Sequence, residues 1–262
     1  MLPSMQKTGF TTGRDIKMTN YFPMNDSLEN KIGFYHIACF LVTLPFDRFF
    51  SHLVLISFLL HTIIHIRKKQ LSSAWNWQTV LLTSVFLLSL IGISWSAYKS
   101  EGLKDLERQL AILLFPLAFQ LSGLNLQRYR RSILHIFGVT CIITILYLFA
   151  DAIRVIQYNR LPISSLFYSS FINHNFSAPI QLHATYLSMY ISLSVASFVV
   201  FFLEEKNNKR SILYIISILI LLAGLVQLAS KSVLIATLLF TATGLLPKIG
   251  RASCRERVSI RV

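Results

Sequence analysis

The sequence predicts an all-α fold, a polytopic transmembrane helix bundle of about eight spans, on three observations. Hydrophobic side chains make up 54% of the 262 residues and charged ones only 14%, where a water-soluble domain carries roughly 25% charge. The apolar residues gather into eight runs, most of them near the ~20 residues that a helix needs to cross hydrocarbon. Lys and Arg are absent from all of these runs and cluster between them. A chain inside a bilayer must satisfy every backbone N–H and C=O within itself, and a helix does so segment by segment. With the chain consumed by spans and short connections, no sizeable water-soluble domain fits beside them. Chemistry then has to sit in the loops or between helices.

Residues 1–31 are polar and mixed in charge, with Pro3, Gly9, Gly13 and Pro23, and read as a cytoplasmic tail. Residues 32–248 read as the transmembrane domain. Its first run, 32–46, is short and stops at Pro45 and Asp47. Runs 49–66 and 79–97 have the length and apolarity of full spans. Before the fourth run, 109–123, the charged stretch Lys104-Asp-Leu-Glu-Arg108 reads as an interfacial amphipathic start, and Pro116 flaws the run itself. Runs 133–150, 185–203 and 211–229 are again full spans, and 232–246 ends at Pro247. The last segment, 249–262, packs four arginines and a cysteine behind an apolar run and has no helical apolar face. Its string GRASCRERV resembles a translated sequencing-adapter read, so it is expected to be non-native. The natural chain is expected to continue past Lys248, which sequencing genomic DNA across that codon checks.

The formal charge is +14, from 25 Lys and Arg against 11 Asp and Glu. In a soluble chain this would suggest nucleic acid. Here it follows from the basic cytoplasmic loops of bilayer proteins, and no nucleic-acid partner is expected. Eight spans divide the loops into two alternating sets, with thirteen Lys and Arg in the set that starts at the N-terminus and seven in the other. The tight clusters Arg67-Lys68-Lys69, Arg128 to Arg131 and Lys206 to Arg210 all fall in the first set. The N-terminus is therefore expected in the cytoplasm, and residues 151–184 form the longest loop on the opposite side.

That loop and its neighbours hold the residues that suit a site. Arg154, Arg160, His174, His183 and Lys231 all fall outside the membrane or at its outer boundary on this topology. Cations beside apolar helices suit a ligand that is both anionic and lipidic, since a diphosphate at headgroup level takes charge-assisted donors while its tail stays in hydrocarbon. Snorkelling of Arg154 and Arg160 from a helix end is the competing account. The run Gln181 to Tyr190 places His183, Thr185 and Tyr186 at the mouth of a span, where an imidazole can donate, accept or act as a base, or where the three can serve as cap and aromatic anchor. Lys231 stands between Ser230 and Ser232 and separates two apolar runs. Pulling such a charge to the bilayer centre costs about 2.5 to 3.5 kcal/mol, so it marks a turn or a site. Cys39, Cys141 and Cys254 have no CxxC spacing, and His61 and His65 stand four apart without a third ligand nearby in sequence, so no metal site and no disulfide framework is expected. No Walker loop, dinucleotide fingerprint, HExxH or nucleophile elbow is present.

The order of an LPFDRF break, the run EGLKDLERQLAILLFPLAF, an outer loop leading into HATYLSMY, and the block LLAGLVQLASKSVLIA resembles the O-antigen ligase and polymerase family of bacterial membrane glycosyltransferases. The resemblance covers roughly residues 32–248. In that family the last block usually reads Ser-Arg-small, and here Ser230-Lys231-Ser232 stands in its place. A lysine is a point charge where arginine is a bidentate fork. The resemblance implies an inner-membrane enzyme of cell-envelope and lipopolysaccharide biosynthesis. Such an enzyme moves a glycan from an undecaprenyl-diphosphate carrier to lipid A core, a glycan or a protein hydroxyl, with no cofactor. It also implies that the family's large outer catalytic loop would follow beyond residue 248, so the catalytic residues are not expected within this chain. Arg154, Arg160 and Lys231 are then expected at the diphosphate and His183 at substrate positioning. A transporter or flippase of a lipid-linked or anionic solute is the alternative.

Overall fold

The computed structural model describes residues 26–46, 48–66, 71 and 76–239. Its helices are α1 (Leu28–Thr43), α2 (Arg48–Ile64), α3 (Trp77–Trp95), α4 (Lys99–Leu121), α5 (Leu126–Tyr158), the single turn α6 (His174–Ser177), α7 (Ala184–Glu204) and α8 (Asn208–Gln227). Residues 231–239 are helical as well. Among the described residues there is no strand, and the fold is all-α.

The starts of the helices are written in the sequence. Asn76, Asn125 and Asn207 accept from the backbone N–H of Thr79, Arg128 and Lys209 at 2.8, 3.1 and 3.0 Å, and Ser27 does the same for Asn30. Each cap satisfies an N–H that the first turn leaves without a partner. After α4, Gly123 takes φ 65°, the left-handed residue that closes a helix at low cost.

The all-α bundle is observed, while about eight spans are supported only in part. Among the described residues four helices, α3, α5, α7 and α8, are long and apolar enough to cross a membrane. Two further apolar helices, Phe49–Ile64 and Gln109–Leu121, are shorter. The first run is shifted and stays short: α1, 16 residues long, ends at Thr43, two residues before Pro45. It also starts earlier than expected, at Leu28, inside the segment read as tail. Pro116 does not break α4, which continues through it and joins Lys104 to Arg108 and the apolar run into one helix. The eighth run is described only to residue 239, and residues 249–262 lie outside the described residues. Trp77 and Trp95 are exposed at the two ends of α3, about 27 Å apart at 1.5 Å per residue. That separation fits the two aromatic belts of a bilayer.

The bundle is two packed groups. The larger joins α5, α7 and α8 through residues spaced three and four apart: Phe137, Cys141, Ile145, Leu148 and Ala152 on α5, Leu187, Ile191, Val195 and Phe198 on α7, and Leu221 and Leu225 on α8. That spacing keeps one stripe of each helix facing the others. The smaller joins α1, α2, α4 and the start of α5 through Phe34, Ile37, Phe58, Ala118 and Tyr129. Six buried hydroxyls are satisfied within their own helix: Thr83, Thr140, Thr144, Ser188, Ser194 and Ser197 each donate to the carbonyl four residues back.

Two glycines let the helices of the larger group approach. A Cβ on Gly138 would lie 2.4 Å from Cζ of Phe198, and one on Gly224 would lie 2.6, 2.8 and 2.9 Å from Cδ1, Cγ1 and Cγ2 of Ile145. Ile145 is fully buried and, being β-branched, has one strongly preferred rotamer in a helix. Gly224→Ala gains about 1 kcal/mol of helix propensity, against about 1 to 3 kcal/mol for overpacking. With three atoms of a stiff side chain in the way, the clash wins. Thermal unfolding in detergent is expected to show Gly224→Ala less stable than the native chain, and Ile145→Ala in the same background to recover part of the loss.

Candidate functional site

Antiparallel packing of α5, α7 and α8 brings the end of α5, the start of α7 and the end of α8 to one end of the bundle, together with residues 159–183. This segment is a compact cap. It contains the turns Ile163–Phe167, Ser169–Phe171 and Ala178–Ile180 besides α6. Phe176 and Ile180 are buried against the helical core, and the Phe176 ring lies 5.1 Å from that of Phe149 on α5.

One residue holds the cap from beneath. Gln227, in the last turn of α8 and 4% exposed, donates through Nε2 to the carbonyls of Leu166 at 2.7 Å and Phe171 at 2.6 Å. Its own carbonyl accepts from the Asn173 N–H at 3.0 Å. Among the described residues, the non-glycine residues with positive φ are Arg160, Asn173, Gln181 and Ala229, all at this end. Such conformations cost of order 1 to 3 kcal/mol each and persist where the surroundings over-determine them.

Arg160 owes its conformation to the end of α5. Leu161 N–H donates to the Ile156 carbonyl and Arg160 N–H to the Gln157 carbonyl, at 3.0 and 3.1 Å. This is the paired closure that sets the residue after the cap left-handed, and it turns the exposed Arg160 off the helix axis at φ 54°. Arg154 is exposed on α5 and paired with Asp151 at 2.5 Å. Lys231 is exposed and opens the helical segment 231–239, after Ala229 at φ 49°. Among the described residues neither Arg160 nor Lys231 has a carboxylate at ion-pair distance. At the opposite end Arg128, Arg131 and Arg210 pair with Asp26, Glu204 and Glu205. The Tyr129 hydroxyl, Asn30 and the Ser27 N–H all donate to Asp26 there, and hold its carboxyl down to about 2.

His183 is the N-cap of α7, its Nδ1 accepting from the Thr185 N–H at 3.4 Å. The His174 ring stands edge-on to it with centroids 4.0 Å apart, and the exposed Tyr186 ring lies 5.8 Å from that of His183. The structure thus brings His174, His183 and Tyr186 together. Among the described residues no hydrogen bond, ion pair or ring contact joins them to Arg154, Arg160 or Lys231. Sequence reasoning missed Gln227, which reads as a lone polar residue at the end of an apolar run. It also missed Asn173, whose φ of 60° aims His174 at His183. Ser165, within the cap, is fully buried, and its Oγ meets no hydrogen-bond partner among the described residues.

His36 from α1 lies beside His61 of α2, ring centroids 5.4 Å apart, and His61 lies 4.4 Å from His65. Among the described residues, however, no three His, Cys, Asp or Glu side chains are grouped as a metal ion requires. No protein-family model, curated protein or solved structure matches the chain.

Proposed function

We propose that this chain is the membrane core of a glycosyltransferase of the O-antigen ligase type. It moves a glycan from an undecaprenyl-diphosphate carrier onto an acceptor hydroxyl, in the bacterial inner membrane with its N-terminus in the cytoplasm. On this reading the shorter apolar segments also span, giving about eight crossings. The observation that carries the proposal is that Arg160 and Lys231, both exposed at the capped end, have no carboxylate at ion-pair distance among the described residues. Cations kept without protein counter-ions at the edge of hydrocarbon suit an anionic headgroup on an apolar tail.

In glycan transfer the acceptor oxygen bonds to the anomeric carbon as the bond from that carbon to the diphosphate oxygen breaks; the electron pair leaves with the diphosphate and the hydroxyl proton is released to the medium. Lys231 and Arg160 stabilise that developing charge. Arg154 has to exchange Asp151 for phosphate, which makes it the weakest of the three. His183 positions the acceptor.

Two measurements test this. A cysteine at Ser169, exposed on the cap, is expected to react with a membrane-impermeant maleimide in outer-membrane-permeabilised cells, and labelling only after inner-membrane lysis overturns the topology. Ser165 would be a poor reporter because it is buried. The full-length protein in nanodiscs is expected to retain undecaprenyl diphosphate over undecaprenol and, given a lipid-linked glycan, to release undecaprenyl diphosphate in step with glycan joined to acceptor. Movement of the lipid-linked glycan between leaflets with no bond broken would identify a flippase instead.

A further inference from the structure

We infer that His174, His183 and Tyr186 form the seat of a sugar hydroxyl, the acceptor side of the reaction proposed above, on which the inference rests. The hydrogen bonds assign the tautomers. Nδ1 of His183 accepts from the Thr185 N–H, so in the neutral ring the proton sits on Nε2, and that nitrogen is a donor. Among the described residues no hydrogen bond occupies either nitrogen of His174, so this ring has an acceptor to offer. A donor and an acceptor on rings 4.0 Å apart match a hydroxyl, which accepts and donates at one oxygen.

A phosphate takes donors only and leaves the acceptor nitrogen of the pair unused, whereas a hydroxyl engages both kinds of group. The diphosphate has its cations elsewhere, on Arg160 and Lys231. Tyr186 adds the complement for the rest of a pyranose. Its ring is 55% exposed and lies 5.8 Å from the His183 ring, tilted 63° to it, which leaves an aromatic face for the C–H side of a sugar beside the polar pair.

The pair is held rather than incidental. Asn173, immediately before His174, is kept at φ 60° by its N–H bond to the Gln227 carbonyl. The next residue, Asn175, donates to the Ser169 carbonyl at 2.9 Å, and Phe176 is buried beneath. The other histidine is fixed as the cap of α7. A strained residue that sets one imidazole against another is where a binding role is expected.

The test is saturation-transfer NMR on the full-length protein in nanodiscs, with the methyl glycosides of glucose, galactose and N-acetylglucosamine as probes. Saturation is expected on the C–H protons of one ring face of at least one glycoside. It should fall about threefold to tenfold in Tyr186→Leu and in His174→Leu, while His174→Gln, whose amide oxygen still accepts, keeps more of the signal than His174→Leu. Both positions are exposed, so the variants are expected to fold. Equal signal in the native protein and Tyr186→Leu would overturn the proposal. So would no signal from any glycoside in protein that still retains undecaprenyl diphosphate. Glycoside binding at these residues in protein that neither retains nor cleaves the lipid diphosphate would uphold the seat and overturn the proposed function instead.

Discussion

Lys231→Ala is expected to lower glycan transfer by about 10² to 10³ per membrane-inserted molecule, the loss seen when one preorganised donor to a developing anion is removed, about 2.7 to 4 kcal/mol. Stability should move the other way or not at all. Lys231 is the first residue of the segment 231–239, whose first helical bond runs from the Leu234 N–H to the Ser230 carbonyl at 2.9 Å. A cation there faces the positive end of the helix dipole, an unfavourable placement of about 0.3 to 1 kcal/mol. Lys231→Arg should retain transfer because charge is preserved and the fork suits a diphosphate. Lys231→Gln should fall with the alanine variant. Donor consumption measured against inserted full-length protein separates these outcomes, and near-normal turnover in Lys231→Gln would remove Lys231 from the site.

The second large effect is structural. Gln227→Met keeps the length of the side chain and removes the amide that serves two carbonyls. Each buried acceptor left without its donor costs about 1 to 3 kcal/mol. The loss should fall on the cap, because the contacts among α5, α7 and α8 remain. Hydrogen exchange is expected to quicken in peptides from residues 161–182 and to stay slow in those from residues 137–148. Unchanged exchange in the cap would show that its own apolar anchors, Phe176 and Ile180, suffice to hold it.

Helices in the bilayer were legible because their signal is length and apolarity together, which runs 133–150, 185–203 and 211–229 all possess. Their ends were less so. The 33-residue α5 extends well past its apolar run at both ends, carried by Asn125 as a cap and by polar turns that composition reads as loop. Pro116 and the charges of Lys104 to Arg108 were read as two features, whereas one helix contains both. Of the candidate site, residue types were legible and adjacency was not. His174 and His183 are separated by an irregular segment whose path depends on two left-handed residues, Asn173 and Gln181, and on a hydrogen bond from Gln227 far along the chain. No periodicity encodes such a path. The isolation of Arg160 and Lys231 from carboxylates likewise depends on where Asp151 points, and it points to Arg154.

The length of α5 has a consequence for where the capped end stands. Its 33 residues make a rod of about 50 Å at 1.5 Å per residue, and the hydrocarbon layer is only about 30 Å thick. The excess has to be taken up by tilt or by projection beyond the layer, each at a fraction of a kcal/mol per Å. The height of Arg160 and of the cap over the bilayer is therefore set jointly by the rod and by lipid chain length. In a thin membrane the same side chains stand farther from the hydrocarbon surface than in a thick one, and membrane thickness becomes a quantity to which this end of the protein responds.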